Sequence, residues 1–158
     1  MDETLPIRDR DTSRADDIRA GTQILLRGLD IIAVAELGLP GGRRADLFGI
    51  DAKGNVTIVE IKSGAQDFLS DTKWQDYLEF CDQYFFAVDP DFPTDLLPED
   101  QGMIIADRHG AEIMRPAAQK DKLPAARRKK MLSLFGRKAA DRLARLEHIV
   151  GREMTDQG

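Results

Sequence analysis

Residues 42 to 63, GRRADLFGIDAKGNVTIVEIKS, restrict the fold of this 158-residue chain more than any other segment. The second half, from residue 56 to 62, is rich in β-branched residues and predicts a strand. Residues 44 to 50 predict a second strand. Gly54 and Asn55 in the intervening turn tolerate positive φ, which suits a five-residue hairpin connection. The sequence therefore predicts two antiparallel strands joined by a short turn.

The expected register of this hairpin places two acids opposite each other. If Ile50 pairs with Val56, then Asp46 faces Glu60, with Cβ atoms roughly 4.5 to 5.5 Å apart. Two carboxylates at this distance repel each other, and a divalent cation held between them reverses the sign of that interaction. Lys62 lies about 6 to 7 Å further along the same face. It can therefore reach a group bound at such a metal without being a ligand.

Asp46, followed fourteen residues later by Glu60-Ile61-Lys62 on an apolar strand, resembles the motif of the PD-(D/E)XK nuclease superfamily. The resemblance implies that Asp46, Glu60 and the backbone carbonyl of Ile61 bind Mg²⁺ or Mn²⁺, and that Lys62 assists phosphodiester hydrolysis. Ala45 stands where the superfamily has proline, a departure that leaves the ligands intact. Glu and Lys also alternate on ordinary surface strands, so a purely structural interpretation of the triplet remains open.

Two further polar residues are candidates for the same site. Glu36 lies near the end of a predicted strand over residues 31 to 37 and becomes a third carboxylate if the hairpin places it beside Asp46. The alternative is a plain surface acid. Gln75 lies on the helix predicted after the Glu-x-Lys strand, where some members of the superfamily place a supporting Gln. Tyr77 follows it by only two residues, so the Gln-x-x-x-Tyr spacing of one branch is absent.

The remaining patterns predict an α/β protein with one domain. A restriction-endonuclease-like core is expected, in which α-helices flank a central mixed β-sheet and a long C-terminal helix follows. Residues 1 to 13 are expected to be a disordered leader, residues 14 to 150 the domain and residues 151 to 158 a tail. The predicted elements are helices over 13–29, 67–82 (in one piece or two) and 124–150, and strands over 31–37, 44–50, 56–62, 84–88, 102–107 and 111–115.

Charge is distributed unevenly along the chain, although the net charge is −5. Residues 119 to 145 contain ten Lys or Arg and two acids, whereas residues 1 to 118 contain twelve and twenty-three. We interpret the closing segment, residues 122 to 150, as a basic helix that contacts DNA phosphates, with a solvated charged face as the alternative. Its predicted DNA-binding residues are Arg127, Arg128, Lys129, Lys130, Arg137 and Lys138.

This closing helix also carries an apolar pattern. Leu132, Phe135, Ala139, Leu143, Leu146 and Val150 recur at intervals of three and four residues. Such spacing places apolar side chains along one side of a helix, as in helices that pack on a core. The sequence therefore predicts that this stripe is buried against the sheet along the whole length of the helix.

Several longer segments resemble the MmcB family of bacterial DNA repair proteins over residues 14 to 150. The segments are GRRADLFGID, VEIKS, KWQDYLEFCDQYFFAVD, and LPAARRKK with GRKAADRLARL. The resemblance implies a DNA repair role, with DNA and other repair proteins as partners. A non-catalytic DNA-binding or recruiting module on the same fold is the alternative. An enzyme that acts on RNA or nucleotides is a third hypothesis, disfavoured because no aromatic stacking platform is evident.

The single cysteine, Cys81, excludes an internal disulfide and suggests a reducing compartment, so we expect a cytoplasmic protein. At a helical position it is expected in the core. The longest apolar run, residues 31 to 35, is too short to cross a bilayer, and the acidic N-terminus does not resemble a signal peptide.

Overall fold

The computed structural model describes residues 10–156. The three α-helices are α1 (Arg10–Gly28), α2 (Ala65–Ser70) and α3 (Ala125–Thr155). The six strands are β1 (Ile32–Gly38), β2 (Arg44–Ile50), β3 (Val56–Ile61), β4 (Gln83–Val88), β5 (Gly102–Asp107) and β6 (Gly110–Arg115). Two 3-10 segments, Trp74–Phe80 and Thr94–Leu96, complete the secondary structure of this part of the chain.

The six strands form one mixed sheet in the order in which they occur along the chain. β1, β2 and β3 are an antiparallel meander, β4 and β5 continue the sheet in parallel, and β6 returns antiparallel to β5. The hairpin has the predicted register, since Ile50 pairs with Val56 and Phe48 with Ile58. The predicted mixed sheet is confirmed.

Both faces of the sheet are covered because its central strands are apolar on both sides. Leu47 and Phe48 point to opposite faces and are both fully buried. On one face the strands pack against α1 through Ile18. On the other face they pack against the 3-10 segment and α3, which contributes Met131. The predicted fold, a mixed sheet flanked by helices with a long C-terminal helix, is confirmed.

Three predicted boundaries need correction. α1 begins at Arg10, so residues 10 to 13 are helical, and the rest of the predicted leader lies outside the described residues. The helix predicted over 67–82 is two pieces, α2 and Trp74–Phe80, one of the two forms that the sequence allowed. α3 continues to Thr155, so part of the predicted tail is helical. Within residues 10–156, no helix combines the length and the apolar character that a membrane span requires.

Arg128 attaches α3 to the sheet. Its guanidinium donates to both carboxylate oxygens of Asp82, at 2.7 and 2.9 Å. Asp82 also accepts the backbone N–H groups of Val56 and Leu123. Although burial alone would raise it, the pKa of Asp82 is held well below its usual range by these donors, led by Arg128. The prediction that Arg128 binds DNA is therefore corrected, because its charge is already used inside the protein.

The other predicted DNA-binding cations fall into two groups. Arg127 contacts Glu79 at 3.2 Å and lies over the ring of Phe80, so it is partly committed to the protein surface. The remaining four are exposed and have no ion pair within residues 10–156. These four are Lys129, Lys130, Arg137 and Lys138.

The second half of α3 departs from the prediction of a fully buried apolar stripe. Leu132, Phe135 and Ala139 of the predicted stripe are half-buried, and Met131, which the prediction did not include, is buried. Leu143, Leu146 and Val150 were predicted to continue this core contact, yet they are 57%, 60% and 54% exposed. The reason is length, since the helix extends beyond the edge of the sheet that it packs against.

Candidate metal-dependent active site

The predicted acidic residues lie in a cavity of about 930 Å³ where β2 begins and β3 ends. α1 and α2 form its walls, and the 3-10 segment contributes Tyr77. The acids that line it are Asp16, Glu36, Asp46, Glu60, Asp67 and Asp71. The cations that line it are Arg19, Arg43 and Lys62. An excess of acids over cations at a concave surface favours bound cations.

Asp46 and Glu60 are held in place by exchanged hydrogen bonds between their strands. The last regular pair of the β2–β3 ladder is Leu47 with Val59. Beyond it, the Asp46 N–H donates to Glu60 Oε1 at 3.0 Å, and the Ile61 N–H donates to Asp46 Oδ2 at 2.8 Å. Each carboxylate thus accepts a backbone N–H that a backbone carbonyl would accept in a regular β-ladder. Both are fixed before any ligand arrives.

The Ile61 carbonyl points to the same side of β3 as the Asp46 carboxylate. Along a strand, successive residues direct their backbone groups to opposite neighbours. The Lys62 N–H donates to Ala87 of β4 at 2.9 Å, whereas the Ile61 N–H points to Asp46 of β2. Because the N–H and C=O of one strand residue point the same way, the Ile61 carbonyl also faces the β2 side.

The two carboxylates repel each other inside the protein. Glu60 is 5% exposed, and burial together with the negative charge of Asp46 raises its pKa to about 9. Burial likewise raises the pKa of Asp46, although the Ile61 N–H opposes the shift. The pair therefore sits in a place where an added positive charge would be strongly stabilising.

Lys62 is paired with an acid that the sequence analysis missed. The buried Lys62 Nζ lies 2.7 Å from Asp71 Oδ2, just after the end of α2. Burial alone would raise the pKa of Asp71, but the hydrogen bonds from Lys62 and the Lys73 N–H lower it. Asp71 follows Lys62 by nine residues, which matches neither the period of a strand nor that of a helix. The pairing arises because the turn between α2 and the 3-10 segment brings Asp71 back to Lys62. Lys62 therefore does not neutralise Asp46 and Glu60.

Comparison with known proteins identifies the family. The sequence matches the family model described as DNA repair protein MmcB-like over residues 3–150. This chain belongs to the MmcB-like family of DNA repair proteins. The predicted family resemblance is thereby confirmed. None of the curated proteins with which the sequence was compared matches it.

Two solved structures resemble this MmcB-like chain to very different degrees. A protein of unknown function from Silicibacter pomeroyi, SPO1766, has 39% sequence identity and a TM-score of 0.83. That match covers 93% of this chain and 97% of the other. A repair endonuclease from Pyrococcus abyssi has 13% identity and a TM-score of 0.34, with 56% of this chain and 41% of the other covered. The second similarity is too low to carry an argument.

Glu36 lies at the rim of the cavity and does not complete a three-acid site. By the strand register it stands opposite Asp46, but its φ of 54° interrupts the β1–β2 ladder. Its side chain is half exposed, 3.9 Å from Arg44. Among the residues that the structure describes, no three His, Cys, Asp or Glu side chains are close enough to hold one metal ion. The prediction of Glu36 as a third ligand is therefore corrected to a rim acid.

Gln75 is not part of the cavity. It is exposed on the 3-10 segment and does not line the site, whereas Gln66 of α2 does. The cause is that α2 begins at Ala65, shortly after β3 ends at Ile61, so Gln66 and Asp67 in the first turn of this helix line the cavity. The prediction of Gln75 as a supporting residue is corrected, and the closeness of Gln66 to the end of the strand was the available signal.

Tyr77 is a second cavity residue that the sequence analysis did not assign to the site. Its hydroxyl donates to the Arg44 carbonyl at 3.0 Å. Burial and the nearby charges of Glu60 and Asp46 raise its pKa to about 12. The hydroxyl therefore stays protonated and ties the start of β2 to the 3-10 segment.

The oxygen donors at the end of β3 fit a hard divalent cation such as Mg²⁺ or Mn²⁺. They comprise the carboxylates of Asp46 and Glu60 and the carbonyl of Ile61, all on the β2 side of the strand. Carboxylate and carbonyl oxygens are the donors that such ions prefer, and Mg²⁺ usually completes its coordination with water. The raised pKa values fit the same assignment, because the carboxylates lack a protein cation between them.

Proposed function

We propose that this MmcB-like protein is a DNA nuclease that hydrolyses phosphodiester bonds with Mg²⁺ or Mn²⁺. The observation that carries the proposal is the buried pair Asp46 and Glu60, each fixed by a backbone N–H and neither in an ion pair with a cation of residues 10–156; the nearby Lys62 is paired with Asp71 instead. Two carboxylates that repel each other lower the stability of the fold unless a bound ligand supplies a positive charge between them. Membership of a DNA repair family makes DNA the expected substrate.

Each residue of the site has a defined task in this proposal. Asp46, Glu60 and the Ile61 carbonyl hold the metal, which when bound supplies positive charge and acidifies a coordinated water. Lys62 holds a non-bridging phosphate oxygen or orients the attacking water. Its ammonium has three donors, of which Asp71 uses one, so two remain. Asp71 thus keeps a flexible side chain in one position.

DNA is proposed to reach the cavity along α3. Arg142 donates to the backbone carbonyl of Glu36 at 3.3 Å, which places this helix beside the rim of the cavity. The exposed cations among the predicted DNA-binding residues of α3 precede Arg142 and are then available to the phosphate backbone on one side of the cavity. They are Lys129, Lys130, Arg137 and Lys138.

A cleavage assay over structured DNAs tests the proposal. Duplex, single-stranded, flap and junction DNA are incubated with the wild type in Mg²⁺ or Mn²⁺. We expect cleavage of at least one substrate, which Asp46→Asn and Lys62→Ala should reduce by at least about 10²-fold, as for other groups that stabilise transition-state charge. Gln75→Ala is the matched control, because this residue is exposed outside the cavity, and its activity should equal that of the wild type.

A metal-binding measurement distinguishes the proposed role of Asp46, which holds the metal, from that of Lys62, which does not. Calorimetric titration with Mn²⁺ should show binding to the wild type and to Lys62→Ala, but not to Asp46→Asn. Equal binding by the wild type and Asp46→Asn would contradict the proposed site. Lys62→Arg should not restore full cleavage, since a planar guanidinium does not replace a compact ammonium in a buried position.

One observation favours a second candidate, a non-catalytic DNA-binding or recruiting module. The Lys62 ammonium is already paired with Asp71, and the described part of the chain offers this site two acids rather than three. In that case the folded wild type binds DNA and cleaves none of the substrates with either metal. Lys62→Ala would then leave DNA binding and repair in complemented cells unchanged.

A further inference from the structure

Within the residues that the structure describes, α3 has no buried or half-buried residue after Arg142. Every residue from 143 to 156 is exposed. Five large apolar side chains lie on this segment: Leu143 (57% exposed), Leu146 (60%), Ile149 (53%), Val150 (54%) and Met154 (76%). We call this segment, residues 143–156, the free half of α3.

The free half continues a helix that the first half of α3 has already nucleated, but its side chains are not buried by the described protein. Most helical stability in proteins comes from packing an apolar face. At 100° per residue, Leu146, Val150 and Ala139 lie within about 40° of one another, on the face that packs on the sheet earlier in α3. The apolar stripe that faces the core in the first half of α3 thus continues along the free half, where it is exposed to solvent. A continuous exposed apolar patch is typical of a contact surface.

We propose that the free half of α3 packs against the same segment of a second copy, antiparallel about a two-fold axis. The apolar stripe is self-complementary in this arrangement. With the axis near residue 148, Leu146 lies opposite Val150 of the other copy, and Leu143 lies opposite Met154. Four of the five large apolar side chains then meet another, as an isologous interface requires, and Ile149 lies near the axis.

The charges beside the stripe favour the antiparallel arrangement. Arg142 and Arg145 lie before its centre, and Glu153 and Asp156 lie after it, all four on one flank of the helix. In an antiparallel pair, the same flank of both helices meets. Arg145 then lies beside Glu153 of the other copy, and Arg142 lies beside Asp156. Within one copy, Arg145 has only an exposed pair with Asp141 among the described residues.

The expected dimer is weak because the patch is small. A standard stable interface buries about 800 Å² per partner and involves 20 to 30 residues on each side. The free half offers fourteen residues, of which five are large and apolar. Association should therefore depend on concentration in the range that sedimentation experiments cover.

Sedimentation velocity of the full chain over a concentration series tests the proposal. We expect the wild type to change from monomer to dimer and Leu146→Glu to raise the dissociation constant by about tenfold or more, because it places a charge at the centre of the stripe. Leu146 is exposed in one copy, so the variant should keep the wild-type circular dichroism of the sheet and its thermal midpoint. A wild type that stays monomeric at all concentrations would overturn the proposal.

Met114→Glu is the matched control for Leu146→Glu. Met114 is 53% exposed on the edge strand β6, so the change adds the same charge at an apolar position of similar exposure. We expect it to leave the dissociation constant unchanged. Dissociation by Met114→Glu together with an unaffected Leu146→Glu would assign self-association to the sheet edge and overturn the proposal.

A charge swap tests the antiparallel direction. Arg145→Glu and Glu153→Arg should each weaken the dimer, and the double variant should regain most of the loss, because it restores both pairs with their signs exchanged. In a parallel pair these residues lie about 12 Å apart along the axis, and the double variant would not recover. Failure of the double variant to recover would overturn the proposed arrangement.

Discussion

β3 has a buried acid arrangement at each of its ends, and the two differ in how their charge is compensated. At the start of the strand, Asp82 receives both arms of the Arg128 guanidinium and two backbone N–H groups. At its end, Asp46 and Glu60 each receive one backbone N–H and face each other. The pKa of Asp82 is lowered, whereas the pKa values of Asp46 and Glu60 are raised.

The difference shows that burial of a carboxylate does not indicate function by itself. A buried acid with a full set of donors and a counterion stabilises the fold, as Asp82 does by attaching α3 to the sheet. A buried pair that lacks a counterion costs stability, and in the proposed function a metal ion supplies the missing charge. This comparison separates the structural end of β3 from the end that we propose to be functional.

The largest expected effect is the loss of the compensated acid. Asp82→Ala should lower the free energy of unfolding by about 3 to 5 kcal/mol, because it leaves the Arg128 guanidinium and two N–H groups without their partner. Urea denaturation measures the loss. Glu79→Ala, which removes the exposed partner of Arg127, is the control and should cost no more than about 1 kcal/mol. A loss of about 1 kcal/mol or less for Asp82→Ala would mean that the buried ion pair of Asp82 with Arg128 stabilises the fold no more than the exposed pair of Glu79 with Arg127.

Metal should stabilise only the uncompensated end of β3. Mn²⁺ at a hundred times its dissociation constant should raise the free energy of unfolding by about 2.7 kcal/mol, since the ion binds the folded state alone. Thermal denaturation with and without Mn²⁺ measures this gain. Asp46→Asn should lose it, and Glu79→Ala should retain it. A gain that persists in Asp46→Asn would place the ion elsewhere.

Removal of one charge at the uncompensated end should stabilise the metal-free protein. Glu60→Gln keeps the side-chain oxygen that accepts the Asp46 N–H and removes the free-energy cost of holding a buried carboxyl protonated at neutral pH, since the pKa of Glu60 is raised to about 9. We expect a gain of about 0.5 to 2 kcal/mol in EDTA, as is common when a functional site is relaxed. Urea denaturation at neutral pH measures it. A loss of stability would mean that the charge of the Asp46 and Glu60 pair is already balanced within the metal-free protein.

pH should affect the two ends of β3 in opposite directions. Asp82 has a lowered pKa in the folded state, so its contribution is present above about pH 4 and is lost as pH falls further. Glu60 has a folded-state pKa raised to about 9, so its effect on stability becomes less favourable as pH rises from about 4 to 9. In EDTA, Glu60→Gln should flatten the neutral-to-alkaline limb of the stability profile, and Arg128→Met should flatten the acid limb. A profile that neither variant changes would contradict both assignments.

The smallest expected effect concerns the neighbours of Arg128. Lys129→Ser with Lys130→Ser should change stability by less than about 0.5 kcal/mol, because both side chains are exposed. The same double variant should flatten the salt dependence of duplex binding by about 0.9 for each phosphate that the protein no longer neutralises. Fluorescence anisotropy over a salt series measures the slope. An unchanged slope would mean that these cations do not face DNA.

Local sequence was sufficient to place the acidic residues. Because strand side chains alternate with period two, the five-residue turn alone brings Asp46 opposite Glu60 and aligns Lys62 on the same face. This hairpin register depends on periodicity and turn geometry, which residues close in sequence specify. The mixed sheet, by contrast, is expected from the family resemblance, and the sequence leaves open whether the helix after β3 forms one piece or two.

The partners of the charged side chains were decided by tertiary structure. Asp71 reaches Lys62 through a turn between two short helices, and Arg128 reaches Asp82 across forty-six residues of chain. No periodicity links such positions, so neither pair could be predicted from the sequence. Periodicity likewise identifies the apolar face of α3 but not where the sheet beneath it ends. The apolar face of α3 packs against the sheet in the first half of the helix and is exposed in the free half. This difference depends on how far the sheet extends beneath the helix, which is a property of the assembled fold.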